Sequence, residues 1–270
     1  MANGTKRASP GAEDEKNPLQ NVELSDENAK KLTAIQRDLA RAELVLERQA
    51  QKTLRPVYEK RREIIKSIPA FWPVALMNHS LFNFHVQHNA DKTALSCLED
   101  VWVEKDPNEH RCFTIEFHFK ENQFFEDKVI KKEFKFVSPP AAANEKPDAD
   151  GITESMLDFS WERDVEASTT KINWKDAEKA LTKLYPRKMD EDDEEDTLAE
   201  PGSFFNFFES STDPSDLGLT IANEIFPEAI EYFLGNAGGD DIDSDSEEED
   251  DDEDAEEIDL EKPRSKKQKV

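Results

Sequence analysis

SDENAKKLTAIQRDLARAELVLERQAQKTLRPVYEKRREIIKSI, residues 25–68, decides the architecture. Ser25 is a good N-cap, and Asp26 and Glu27 follow in the first turn, where the helix dipole favours anions. Leu32, Ile35, Leu39, Ala42 and Leu46 then recur at steps of three and four. Ala50, Leu54, Val57, Arg61, Ile64 and Ile68 continue the stripe after consecutive steps of four, a stutter that loosens a coiled-coil seam without ending it. Pro56 costs a helix interior roughly 3 kcal/mol, which predicts a kink near Arg55 or two helices abutting there. Some forty residues at 1.5 Å rise make a rod of about 60 Å, longer than a small domain is wide. The rod's own domain cannot cover such a face, so the expectation is dimerisation through Leu32, Ile35, Leu39, Leu46, Leu54, Val57 and Ile64; the alternative is a helix packed wholly within a monomer.

On the C-terminal side, PAFWPVALMNHSLFNF (69–84) is apolar, with prolines at helix-starting positions, and reads as short helices. In Arg111–Lys120, Phe113, Ile115, Phe117 and Phe119 alternate with polar residues, a half-buried strand. Leu95–Glu104 and Val129–Val137 flank it as weaker strands, joined by turn-forming residues into an antiparallel meander. Ser138–Asp150 reads as a loop, Met156–Arg163 and Thr169–Trp174 as one or two further strands, and Lys175–Tyr185 as a helix. SFFNFF (203–208) and Asp216–Leu234 return to aromatic, helix-like sequence. The expected class is α+β. Residues 1–22 form a disordered N-terminal segment, 23–68 the long helix, 69–235 the sheet-and-helix domain, and 236–270 a disordered acidic tail ending in a basic cluster.

Charge bounds the function. The 270 residues carry a net −27. Residues 190–196 supply −7, residues 240–261 supply −16 and the last nine residues +5, which leaves −9 on the rest of the chain. Such a surplus repels nucleic acid and anionic lipid and speeds association with cations, so the complementary partner is a basic protein. An acidic tail that only confers solubility is the competing reading. Cys97 and Cys112 lack metal-ligand spacing and are expected to be buried free thiols in a reducing compartment. No apolar run approaches a membrane span, and Met1–Lys16 does not resemble a secretory signal.

Catalytic constellations are weak. His85 and His88 have i, i+3 spacing but no third ligand, and only eight glycines are present, none in a phosphate-cradling loop. Asp241-x-Asp243-x-Asp245 has Ser246 where a calcium loop needs glycine. No cofactor and no metal are expected, and the chain is not read as an enzyme. Ser244 and Ser246 precede acidic residues and suit acid-directed kinases. Lys262, Arg264, Lys266, Lys267 and Lys269 read as a nuclear import signal, or as a latch onto the neighbouring acidic tail.

Five stretches then carry a resemblance: LRPVYEKRREIIKSIPAFWPVALMNH (54–79), FTIEFHFKENQFFEDKVIKKEF (113–134), INWK (172–175), SFFNFF (203–208) and IFPEAIEYFL (225–234). In that order they resemble the nucleosome assembly protein family, its SET branch most. Residues 138–168 are longer than the family's usual connection, and Phe226 stands where its pattern has tryptophan. The resemblance implies a headphone-shaped homodimer of paired long helices, each bearing an earmuff-type histone-binding domain of antiparallel sheet and helices. It implies a histone chaperone that binds core histones and supports nucleosome assembly and disassembly; with the Lys262–Lys269 cluster, the expected location is the nucleus, with shuttling to the cytoplasm as an option. The alternative is an acidic regulatory adaptor of a phosphatase or a chromatin-modifying acetyltransferase. Acidic candidates for histone contact are Asp213, Asp216, Glu224, Glu228 and Glu231 on the body, with Glu247, Glu248, Glu249, Asp250, Asp251 and Asp252 on the tail. A plain solvated helix face competes with that role at each body position.

Overall fold

The computed structural model describes residues 24–107, 109–137, 145–189 and 198–237. Helix α1 spans Asp26–Ile65, capped by the Ser25 side chain, which accepts from the Asn28 N–H. It runs unbroken through Pro56, so the two abutting helices allowed by the sequence are one. The residues around Pro56 explain this. Arg55 pairs with Glu59 and Glu104, and Tyr58 and Arg61 pack their side chains into the domain. These contacts offset the hydrogen bond that proline removes.

Three short helices follow: α2 (Phe71–Met77), α3 (Ser80–His85) and α4 (Asn89–Leu95). Helix α4 and its exit take residues 95–97 out of the expected first strand, which begins at Leu98. Strands β1 (Leu98–Lys105), β2 (Phe113–Phe119) and β3 (Val129–Phe136) form the expected antiparallel meander. Cross-strand register places Val103 opposite Ile115, and Ile115 opposite Lys132. The inner face is therefore Val101, Val103, Ile115, Phe117, Ile130 and Phe134, all buried.

Beyond β3 the expected strands are corrected. Met156–Arg163 is mostly helical, as α5 (Glu154–Leu157) and α6 (Trp161–Asp164). The Asp164 carboxylate accepts from the Ser160 N–H at 3.0 Å and folds that turn back on itself. Only β4 (Val165–Ala167) joins the sheet, beside β3. Thr169–Trp174 forms no strand, and Trp174 makes only an isolated bridge to Phe125. The predicted helix at 175–185 splits into a 3-10 turn (Ala177–Lys179) and α7 (Leu181–Leu184), because Ala180 between them adopts ψ 128°. A small ladder, β5 (Lys188–Met189) with β6 (Leu198–Glu200), precedes α8 (Asn206–Glu209). Helices α9 (Leu217–Thr220) and α10 (Ala229–Leu234) flank a π-type turn at Ile221–Ile225.

Phenylalanines fill the layer beneath the sheet. Phe204, Phe205, Phe207 and Phe208 are 1% exposed or less, and Phe205 touches the rings of Phe119, Phe125, Trp174 and Phe204. One cation lies among them. Lys132 is fully buried on the inner face, and its Nζ donates to the carbonyls of Ser168 (2.8 Å) and Ser210 (2.5 Å), tying β3 to the residues that follow β4 and α8. Burial pulls its pKa down to about 8. Cys112 is buried, with its thiol pushed up to about 12, whereas Cys97 is only half-buried; both lie just outside strands rather than in them.

His85 supplies a pH dependence. The ring is buried, its Nε2 has no hydrogen-bond partner, and burial, reinforced by the Arg187 charge, lowers its pKa to about 4. Between that value and the ordinary 6.5, the unfolded chain binds a proton that the folded chain refuses. Stability is therefore full above about pH 6.5 and falls as pH drops towards 4, by about 3 kcal/mol for this group. Urea unfolding of wild type and His85→Phe from pH 4 to 7 checks this: the variant gains on the wild type as pH falls, and a constant difference would exclude His85 as the source.

Candidate functional site

Helix α1 presents two faces. Leu32, Ile35, Leu39, Leu46, Leu54, Val57 and Ile64 are 38–68% exposed and share one stripe. An isolated apolar residue on a surface is ordinary, but seven along one helix face form a contiguous patch of the kind that marks an interface. Arg61 continues the stripe in sequence yet is buried. Its guanidinium lies 4.7 Å from the Tyr58 ring, 4.6 Å from Phe226 and 5.7 Å from Trp72, and donates to the Pro227 carbonyl at 2.9 Å. That aromatic enclosure lowers its pKa to about 10 through burial. Arg61 thus interrupts the exposed stripe between Val57 and Ile64 and fastens the helix to its domain.

The opposite face of α1 is an arginine ladder that periodicity of apolar residues does not reveal. Arg41, Arg48, Arg55 and Arg62 fall seven residues apart, with Arg37 one turn before them. At 3.6 residues per turn the ladder lies roughly 170° around the helix from the apolar stripe. Each rung reaches the same chain's domain. Arg62 binds Asp100 (Nε at 2.6 Å) and stacks 4.8 Å from the Trp102 ring; Asp100 also accepts from Trp72 Nε1 at 3.2 Å. Arg55 pairs with Glu104, which also accepts from Trp102 Nε1 at 3.0 Å. Arg48, Arg41 and Arg37 reach residues 148–158. The signal was present in the sequence as a heptad of one residue type.

Between α1 and the domain runs a groove of about 890 Å³. Tyr58, Trp102 and Phe226 are among its apolar lining, with Leu46 and Leu54 at the edge of the stripe, and Lys52, Lys105, Glu104 and Asp150 add charge. Lys105 donates to Asn223 Oδ1 at 2.8 Å and stands 4.7 Å over the Phe113 ring; burial lowers its pKa to about 8.

The acidic candidates divide. Asp216, Glu224, Glu228 and Glu231 are exposed around α9 and α10. Glu224 lies 3.4 Å from His79 Nε2, and Glu231 accepts from Asn236 Nδ2 at 3.0 Å. Asp213 is instead committed to the fold: its carboxylate accepts the N–H groups of Leu217 (3.1 Å) and Gly218 (2.7 Å), capping α9 in place of Asp216. Burial raises its pKa despite those bonds and the Lys132 charge. The acidic run 190–196, the tail candidates Glu247–Asp252 with their neighbouring serines, and the basic cluster Lys262–Lys269 lie outside the described residues.

Other singled-out residues have structural partners. His88 stacks on Tyr185 with ring centroids 3.9 Å apart, while His85 is edge-on to Phe84. The buried Ser203 hydroxyl donates to Asp91 at 2.6 Å, tying α4 to the phenylalanine segment. Among the described residues, no three His, Cys, Asp or Glu side chains gather as metal ligands, and no helix is long and apolar enough to cross a membrane.

Comparison with known proteins places this architecture. Sequence similarity to the nucleosome assembly protein family covers residues 65–236. Protein SET of Drosophila melanogaster is 29% identical over 239 residues, spanning 86% of this chain and 79% of that protein. NAP1-related protein 1 of Arabidopsis thaliana is 28% identical, spanning 85% and 87%. Among solved structures, a Ccp1 mutant superposes with a TM-score of 0.56 at 21% identity, covering 77% of this chain and 94% of that one. The Vps75 histone chaperone gives 0.50 at 18% identity, covering 79% and 98%. The long helix followed by an antiparallel sheet with helices is the fold these proteins share, and the chain belongs to the nucleosome assembly protein family.

Proposed function

We propose that this protein is a non-enzymatic histone chaperone: a homodimer, joined through the apolar stripe of α1, that binds core histones and supports nucleosome assembly and disassembly in the nucleus. The observation that carries the reading is an excess of carboxylates on this family's fold, −27 over the chain and still −9 once the two acidic runs and the basic end are set aside. Histones bind DNA through many lysine and arginine contacts to phosphate, each releasing counterions. A competitor must match that attraction without trapping its cargo. Exposed carboxylates suit the task because each screened pair is worth only about 0–1 kcal/mol, yet many act together. Asp216, Glu224, Glu228 and Glu231 are the body residues exposed for such contacts. The 240–261 tail adds long-range attraction, and Lys262–Lys269 supplies nuclear import.

Core-histone binding across a salt series, with and without residues 236–261, tests the reading together with nucleosome assembly by the purified protein. Removing the tail is expected to flatten the salt dependence and slow capture while leaving measurable binding. Failure of the intact chain to bind core histones, or equal affinity for histones and length-matched polylysine, would count against a histone-specific chaperone.

A further inference from the structure

We propose that residues 145–158 form a releasable clasp on α1, held shut by Arg37, Arg41 and Arg48 and opened by polyvalent cations that compete for its carboxylates. The segment lies between β3 and β4, yet it crosses to residues 37–48 of α1, more than a hundred residues earlier in sequence. Arg37 pairs with Glu154 and with Asp158 (3.3 Å). Arg41 binds Asp148 through Nε (2.7 Å) and Asp150 through Nη2 (2.5 Å). At the centre, Arg48 Nη1 donates to two backbone carbonyls, Asp150 at 3.1 Å and Gly151 at 2.8 Å. Gly151 has φ +77°, and a Cβ built there would stand 2.8 Å from that same nitrogen. At that φ any other residue is strained, so glycine sets the turn that presents both carbonyls to Arg48. The contact is therefore keyed to arginine, and not a chance meeting of opposite charges.

The means of opening lie in the same contacts. The carboxylate–arginine pairs of Arg37 and Arg41 have side chains 36–73% exposed, where attraction is weak and screened by salt. Apolar support is small: within the clasp Ile152 alone is fully buried, and Leu44 is the buried apolar residue on this part of α1. A monovalent ion replaces one arginine at a time and leaves the others engaged. A lysine- or arginine-rich chain replaces several together, because its charges arrive tethered. Opening would hand four clasp carboxylates, Asp148, Asp150, Glu154 and Asp158, to the incoming chain. The inference rests on the histone reading only for the identity of the natural polycation.

Hydrogen exchange on the full-length protein tests the clasp. The informative amides are those of Asp150, Gly151, Ile152 and Ser155, which donate to Asp148 and Glu145 within the segment. Polylysine at constant ionic strength is expected to speed their exchange at least tenfold, while free lysine at equal charge does not and the β2 amides stay unchanged. Arg37→Glu with Arg41→Glu should reach the same rate without polycation, and Gly151→Ala should open the centre without changing charge. Pairing Arg37→Glu with Glu154→Arg and Asp158→Arg, which leaves the acceptors Asp148 and Glu145 in place, should restore protection. Exchange unmoved by polylysine and by the double arginine reversal would overturn the clasp and assign the contact to Ile152 and Leu44. Core-histone binding measured in parallel separates the two readings. Lost histone binding with a polylysine-responsive segment defeats the histone reading alone, and retained binding with an unresponsive segment defeats the clasp alone.

Discussion

Replacing Leu39 and Leu46 by glutamate is expected to convert the proposed dimer to a monomer, read as a halving of mass by sedimentation at micromolar concentration. Both side chains stand on the exposed stripe of α1, at 57% and 68% exposure. Burying a leucine is worth about 1.5–3 kcal/mol, and a two-fold interface counts each substitution twice. Four leucines lost from the contact amount to at least about 6 kcal/mol, or roughly 10⁴ in dissociation constant, before the desolvation of four new carboxylates is added. The substitutions lie far along the rod from the phenylalanine layer, so the monomer should retain its sheet, with near-wild-type circular dichroism. An unchanged mass would mean that the stripe does not mediate self-association.

Phe205→Ala is expected to produce the largest loss of stability, about 3–5 kcal/mol in urea unfolding, with no change in assembly below the transition. Phe205 is fully buried and meets rings from β2, from the 122–125 turn and from Trp174. Neighbours drawn from three separate segments cannot all collapse into the space left by the ring, so a cavity persists. Domains of this kind are held by only about 5–15 kcal/mol in total, so the loss should move the unfolding midpoint substantially. A change under about 1 kcal/mol would show that the layer repacks freely.

Much of this framework is written in local pattern. The 25–68 periodicity specified α1, and the alternation at Phe113–Phe119 specified β2, because each follows the repeat of its element over many residues. SFFNFF was legible as core because four phenylalanines in six residues have nowhere else to go. Residues 154–185 were misread for a physical reason. Their short elements are fixed by distant partners, such as Trp161 packing on Phe113 and Phe134, or Asn173 held by Asp127. No repeat within the segment records those contacts. The candidate site was legible in charge but not in detail. Asp213 looks like Asp216 in sequence, and only the folded chain shows one carboxylate facing backbone N–H groups and the other facing solvent. The arginine ladder was visible all along at seven-residue spacing, but a search for apolar repeats does not count charged ones.

The two faces of α1 make the helix a timing element as well as a spacer. Each added residue rotates everything beyond it by about 100°, so one insertion between Leu46 and Leu54 would turn the outer stripe away from a partner while the domain stayed docked on Arg55 and Arg62. Seven inserted residues would return both faces nearly to alignment and lengthen the rod by about 10 Å. Lineages that change the span of this helix are therefore expected to do so in whole heptads, because the angular setting between self-association and domain docking tolerates added length far better than it tolerates a change of phase.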